Sequence, residues 1–196
     1  MVVKRSWRWH SMVRLGIICE GESEKIIFDS SDFKALMDSY QIELVDVVVA
    51  GSKTQYRANF LPKHRQILLD KGVERIIALV DLDDDQCITL TKQTVPAFDD
   101  QIVVVAVKEF ENWYLADTVA LGTFTGIDQP VDKPEGYVEP LDEIIRLLGK
   151  RFPKSKPKLA NNMKRCGFSI ERAAGHPNCP SARYFLNKLQ TLASAN

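Results

Sequence analysis

Four short apolar runs, Leu15–Cys19, Ile42–Ala50, Val73–Val80 and Ile102–Val107, punctuate the first half of the chain, with helical patterns between them. A strand that is apolar on both faces must be covered on both, and strands joined by helical crossovers pair in parallel. The runs therefore predict strands. The stretches Ser23–Tyr40, Thr54–Lys71 and Phe110–Leu121 predict helices, with Pro62 kinking or splitting the second, and residues 88–99 a short helix or loop. The expected fold class is α/β: a Rossmann-like, mostly parallel sheet of about four strands flanked by helices. Beyond a Gly- and Pro-rich, linker-like span at 122–137, helices are expected at Leu141–Leu148, Lys158–Cys166 and Ser181–Leu192. Residues 1–12 read as a flexible basic extension, 13–121 as the α/β domain, and 122–196 as a helical C-terminal extension packed on it.

Composition narrows the class further. The 196 residues are 45% hydrophobic and 27% charged, ordinary for a globular protein in water. No apolar run approaches the length of a membrane span, and the N-terminus lacks the apolar core and cleavage site of a secretory signal. A cytoplasmic protein without membrane contact is expected. Cys19, Cys87, Cys166 and Cys179 form no CxxC pair, so reduced thiols are expected rather than disulfides or zinc. The net charge is zero but unevenly spread: residues 148–196 hold ten Lys/Arg and one acid, Glu171, and residues 1–14 hold four Lys/Arg and no acid. Basic ends around an acidic centre suit an anionic polymer held near a cation site; solvated helix faces are the plainer reading.

In open parallel sheets, binding sites form beyond the carboxyl ends of the strands. Three of these ends are acidic. The first run leads into Glu20, Glu22 and Glu24, the third into Asp81, Asp83, Asp84 and Asp85, and the fourth into Glu109 and Glu111. Crowded carboxylates are relieved by a bound cation or a raised pKa. Oxygen donors without His or Cys suit Mg²⁺ or Mn²⁺. Residues two apart project to the same side of an extended segment, so Asp81 and Asp83 are placed to share one ion, with Asp85 on a second ion or behind the first. Gly21 is expected to let the backbone turn sharply after Glu20. Asp84 and Asp85 also suit turns or helix caps. Glu22 and Glu24 also suit a helix N-terminus. Glu22 is expected to face solvent, and Glu24 stays open between a supporting acid and a helix charge.

A strand ending in Glu-Gly, followed about sixty residues later by a strand ending in Asp-x-Asp, resembles the TOPRIM domain of topoisomerases, bacterial primases and overcoming-lysogenisation-defect nucleases. The segments VAVKEFENWYLAD (Val105–Asp117), KPKLA (Lys156–Ala160) and CPSARYFLNKL (Cys179–Leu189) resemble a small bacterial TOPRIM-like family of unassigned function. Its members are often encoded beside AAA-type ATPases, in pairs associated with anti-phage defence. The resemblance spans about residues 13–192. It implies Glu20 as metal ligand or general acid/base, Asp81 and Asp83 as metal ligands, and Asp85 as a third acid. Glu24 matches the second acid of an E-G-x-x-E form, and Glu111 with Trp113 an E-x-W signature. Asp83 is followed by two further aspartates, where topoisomerases carry D-x-E-G-E. The chain also has no room for a DNA gate or for the accessory parts of a primase, so strand passage and priming are not expected.

The expected activity is Mg²⁺- or Mn²⁺-dependent hydrolysis of phosphodiester bonds in DNA or RNA. Glu20, Asp81, Asp83 and Asp85 would hold metal. Lys53 would stabilise the pentacovalent phosphate, and Glu111 would orient a water. Lys53 reads equally well as a loop lysine, and Trp113 as core. Lys150, Arg151, Lys154, Lys156, Lys158, Lys164, Arg165 and Arg183 would track the nucleic-acid backbone. The alternative is a regulatory or binding subunit that cuts only when docked to an AAA-type ATPase. Small-substrate phosphate transfer fits less well, because the first strand lacks D-x-D-x-T.

Overall fold

The computed structural model describes residues 12–194. Residues 1–11, most of the expected basic extension, lie outside the described residues. Four strands, β1 (Val13–Cys19), β2 (Ile42–Val49), β3 (Arg75–Asp81) and β4 (Gln101–Ala106), form one all-parallel sheet in the order β2-β1-β3-β4. The chain moves outward from β1 to β2, returns past β1 to lay down β3, and moves outward the other way to β4. The winding therefore reverses between β1 and β3. In sheets of this kind, the crevice beyond the carboxyl ends at that reversal is where ligands bind.

Ten helices accompany the strands among the described residues: α1 (Glu22–Phe28), α2 (Ser31–Ser39), α3 (Leu61–Leu69), α4 (Ile88–Thr94), α5 (Asn112–Ala116), α6 (Thr118–Thr125), α7 (Pro140–Leu148), α8 (Lys156–Arg165), α9 (Ile170–Gly175) and α10 (Pro180–Ser194). Side-chain alternation sorts the strand residues between two cores. Leu15, Ile17, Cys19, Ile77 and Leu79 pack with α1, α2, α5 and the C-terminal helices. Ile18, Ile76, Ala78 and Val80 pack with Tyr56, Leu61 and Leu68 on the other face. The sheet is thus helix-covered on both sides, as its two-sided apolar strands require.

Several helices are shorter than their sequence patterns suggest, each for a local reason. The Ser23–Tyr40 helix breaks at Asp29–Ser30, because Ser30 Oγ accepts from Phe33 N at 3.2 Å and starts α2. Such a cap contributes about 1 kcal/mol. Pro62 does not kink Thr54–Lys71; it sits in the first turn of α3, where its missing N–H leaves no bond unmade. A separate 3₁₀ turn, Lys53–Tyr56, precedes it. Phe110–Leu121 breaks at Asp117, which caps α6. The span 122–137 is not a free linker: Asn112 Nδ2 donates to Pro134 O at 2.7 Å and Tyr137 O at 3.0 Å, stapling it to α5.

The C-terminal helices join the first core directly. Phe185 of α10 stacks on Phe28 at 5.7 Å and lies 5.5 Å from Trp113. Trp113 is fully buried, and its Nε1 donates to Ser181 Oγ at 2.8 Å. Buried aromatics of this size each contribute about 2–3 kcal/mol. Helix α8 lies against α1, which brings its N-terminus toward the carboxyl edge of the sheet. Among the described residues no helix is long and apolar enough to cross a membrane.

Candidate active site at the carboxyl edge of the sheet

A chain of hydrogen bonds ties three strand ends together. Glu20, just past β1, accepts from Asp81 N through Oε1 at 2.8 Å. Asp81, the last residue of β3, accepts from Phe110 N through Oδ1 at 2.9 Å and so holds the turn between β4 and α5. That turn presents Glu111. Asp81, Glu111 and Glu24 are 6%, 1% and 4% exposed, values at which carboxylates are rarely left.

The electrostatics follow from this crowding. Burial, opposed by the Asp81 amide and reinforced by Asp83 and Glu24, raises the Glu20 carboxyl to about 7. Burial does the same to Glu111, with Lys156 opposing and Glu24 reinforcing, again to about 7. Asp81 is pushed well above the usual carboxylate range by burial and by Glu24, Glu111 and Glu20. These acids either hold protons near neutrality or need an added cation.

Glu24 is one turn into α1, and its Oε2 accepts from Ser23 Oγ at 2.6 Å. It belongs to the buried set, whereas Glu22 is exposed. The backbone does bend at Glu20–Gly21, but Gly21 has a φ of −136° that other residues also adopt, so the bend does not require glycine. A Cβ at that position would meet Glu24 Oε2 at 3.2 Å, so glycine leaves room for the buried carboxylate.

The D-x-D-x-D run does not stay extended. Asp83 takes a left-handed φ of 50°, and so does Lys108 opposite it, at 61°. The two are cross-bonded: Asp83 N donates to Lys108 O at 2.8 Å, and Lys108 Nζ to Asp83 O at 3.3 Å. Such backbone costs about 1 kcal/mol or more per residue and concentrates at functional sites. Alternation ends at Asp81, so Asp83 is half-exposed while Asp81 is buried. Lys53 Nζ lies 2.7 Å from Asp85 and 3.5 Å from Asp83, and donates to Leu82 O at 2.8 Å. Asp85 also accepts from Thr91 Oγ1 at 2.6 Å. Lys53 and Asp85 thus pair with each other beside the buried cluster.

The basic residues divide. Lys156, the first residue of α8, turns inward: its Nζ lies 3.1 Å from Glu109 and 3.2 Å from Glu111. Burial alone would lower this ammonium, but Glu111, Asp81 and Glu109 outweigh it and hold it above its ordinary value. Lys154 pairs with Asp142 at 2.6 Å. Arg183 donates to the Ala174 and His176 carbonyls at the end of α9. Lys150, Arg151, Lys158, Lys164 and Arg165 are exposed.

Among the described residues, no three His, Cys, Asp or Glu side chains converge closely enough to form a metal-ligand group. Comparison with protein families, curated proteins and solved structures finds no match for the chain. Lys108 and the inward turn of Lys156 escape sequence reasoning. A lysine in a basic segment carries no local sign that it will fold back onto acids forty-odd residues earlier.

Proposed function

We propose that the protein is a divalent-cation-dependent phosphodiesterase acting on nucleic acid. One observation carries this reading: Glu20 and Asp81 meet at the β1/β3 reversal of the sheet, and Glu111 and Glu24 crowd the same buried edge. The donor set suits Mg²⁺ or Mn²⁺, being all carboxylate oxygen. It also includes Glu111, whose Oε1 is buried with no partner in the protein and whose Oε2 lies 3.2 Å from Lys156. Asp81, Asp83 and Glu111, which form no closed ligand group by themselves, would draw in around the ion, which would supply positive charge for the reacting phosphate and lower the pKa of water.

The chain's own groups divide the remaining work. Glu20 keeps Oε1 on the Asp81 amide, which leaves Oε2 to take the proton of the attacking water. Lys53 and Lys156 flank the acids on two sides and would meet phosphate oxygens. Lys150, Arg151, Lys158, Lys164 and Arg165 would contact neighbouring phosphates in a salt-dependent way. A TOPRIM-type nuclease, working beside an ATPase in phage defence, is the setting this reading favours.

A second reading is a conditionally active subunit. It is favoured by the lysines already bonded to the acids, Lys156 to Glu109 and Glu111 and Lys53 to Asp83 and Asp85. Here nucleic acid or an ATPase partner would draw these cations away before the site forms. Incubating plasmid and single-stranded DNA and RNA with Mg²⁺ or Mn²⁺ tests both. Cation-dependent cleavage by the isolated chain supports the first; cleavage only with an ATPase partner supports the second; none in either arm refutes both.

A further inference from the structure

Among the described residues, two buried side-chain polar atoms lack any hydrogen-bonding partner in the protein: Glu111 Oε1 and the Tyr114 hydroxyl. Buried polar atoms are ordinarily satisfied, so an orphan calls for a bound water or ion. Two orphans one helical turn apart call for one shared explanation. Glu111 and Tyr114 are three residues apart in the turn that starts α5, where Tyr114 N donates to Glu111 O at 3.0 Å. Such residues share a helix face. The Tyr114 ring is clamped edge-on by Phe168 at 4.8 Å and Phe110 at 5.6 Å, and the hydroxyl itself is buried. Burial and then Glu111, Glu24 and Asp81 raise the phenol well above its ordinary pKa, as expected if it faces the acids. Tyr56 supplies the contrast. It is just as deeply buried, but its hydroxyl donates to Leu79 O at 2.7 Å and is satisfied by backbone.

We propose that Tyr114 is a positioning residue of the cation site: its hydroxyl and Glu111 Oε1 grip one water molecule between them, which fixes the Glu111 carboxylate toward the ion. The inference rests on the cation-site reading above. Groups that orient a metal-ligating carboxylate typically change affinity by about 10–100-fold when removed.

Calorimetric titration of Mn²⁺ into wild type, Y114F and Y184F tests it, alongside metal-free thermal midpoints. The expected result is about tenfold weaker Mn²⁺ binding by Y114F, a metal-free midpoint equal to or above wild type, and unchanged binding by Y184F. Wild-type affinity in Y114F overturns the role of Tyr114 and leaves the cation site standing. A wild type that binds no Mn²⁺ removes the cation site and this inference with it. Should Y114F not fold, ¹⁹F spectra of the 3-fluorotyrosine-labelled wild type read the same point. Mg²⁺ must then shift the Tyr114 resonance, and an unmoved resonance overturns the proposal.

Discussion

Asp117, between α5 and α6, and Asp81, at the end of β3, are both buried aspartates, and they are treated in opposite ways. Asp117 receives four hydrogen bonds: Ala120 N and Arg172 Nε on Oδ1, Ser169 N and Arg172 Nη2 on Oδ2. Asp81 receives one, from Phe110 N, and is surrounded by three further carboxylates. The first is a finished structural joint between α6, α9 and the loop after α8. The second is an unfinished one, whose missing charge has to come from outside the chain. Burial alone does not distinguish the two; the number of donors aimed at the carboxylate does.

The largest expected effect breaks the finished joint. D117A should destabilise the fold by about 3–4 kcal/mol, because it uncaps α6 and removes the acceptor of the Ser169 amide and of the partly exposed Arg172. Urea unfolding measures this, and a loss below about 1 kcal/mol would erase the contrast with Asp81.

Next comes the pH dependence of the unfinished site. Glu20 and Glu111 stand at about 7 in the folded protein against an ordinary value of 4.5. Below pH 4.5 both carboxyls are protonated whether the chain is folded or not, and they cost nothing. Above pH 7 they are ionised in both states, and the folded state carries the full penalty. Metal-free stability should therefore fall as pH rises from about 4.5 to 7, by up to about 3 kcal/mol for each group. E111Q should remove about half of that fall, and saturating Mg²⁺ should reverse it. A metal-free stability that rises across this window would contradict the account.

Lys156 partly completes the site from within. K156M should cost about 1–2 kcal/mol at pH 8, where Glu111 is ionised, and less at pH 5, where it is protonated. Equal losses at the two pH values would show that Lys156 acts through packing. The smallest effect is on binding: K164A/R165A should reduce the salt slope of nucleic-acid affinity by about 0.7–0.9 per lost phosphate contact. An unchanged slope would place these residues away from the nucleic acid.

The strands and the acids at their ends were legible in the sequence because both depend on local pattern. Glu20 and Asp81 could be picked out as residues that directly follow or close apolar runs. Other features depended on contacts distant in sequence. Glu24 is buried because α8 lies against α1 and Gly21 leaves room for its carboxylate. Lys156 reads as one of several exposed cations until α8 carries it onto Glu111. The equal spacing of Asp81, Asp83 and Asp85 suggested equal roles, but the left-handed backbone at Asp83 separates a buried acid from two half-exposed ones. Ser30, Pro62 and Asp117 were visible as cap or helix-start types, yet unbroken apolar periodicity ran across them and masked the breaks.

The central claim is that the Asp81 carboxylate serves a cation rather than the fold. Mn²⁺-dependent cleavage of nucleic acid by wild type and D81N, each verified as folded, tests it most directly. D81N should keep the Phe110 hydrogen bond and a metal-free stability equal to or above wild type at pH 8, while its cleavage falls at least a hundredfold, by about 2.7 kcal/mol or more of transition-state stabilisation. Cleavage by D81N at the wild-type rate would contradict it.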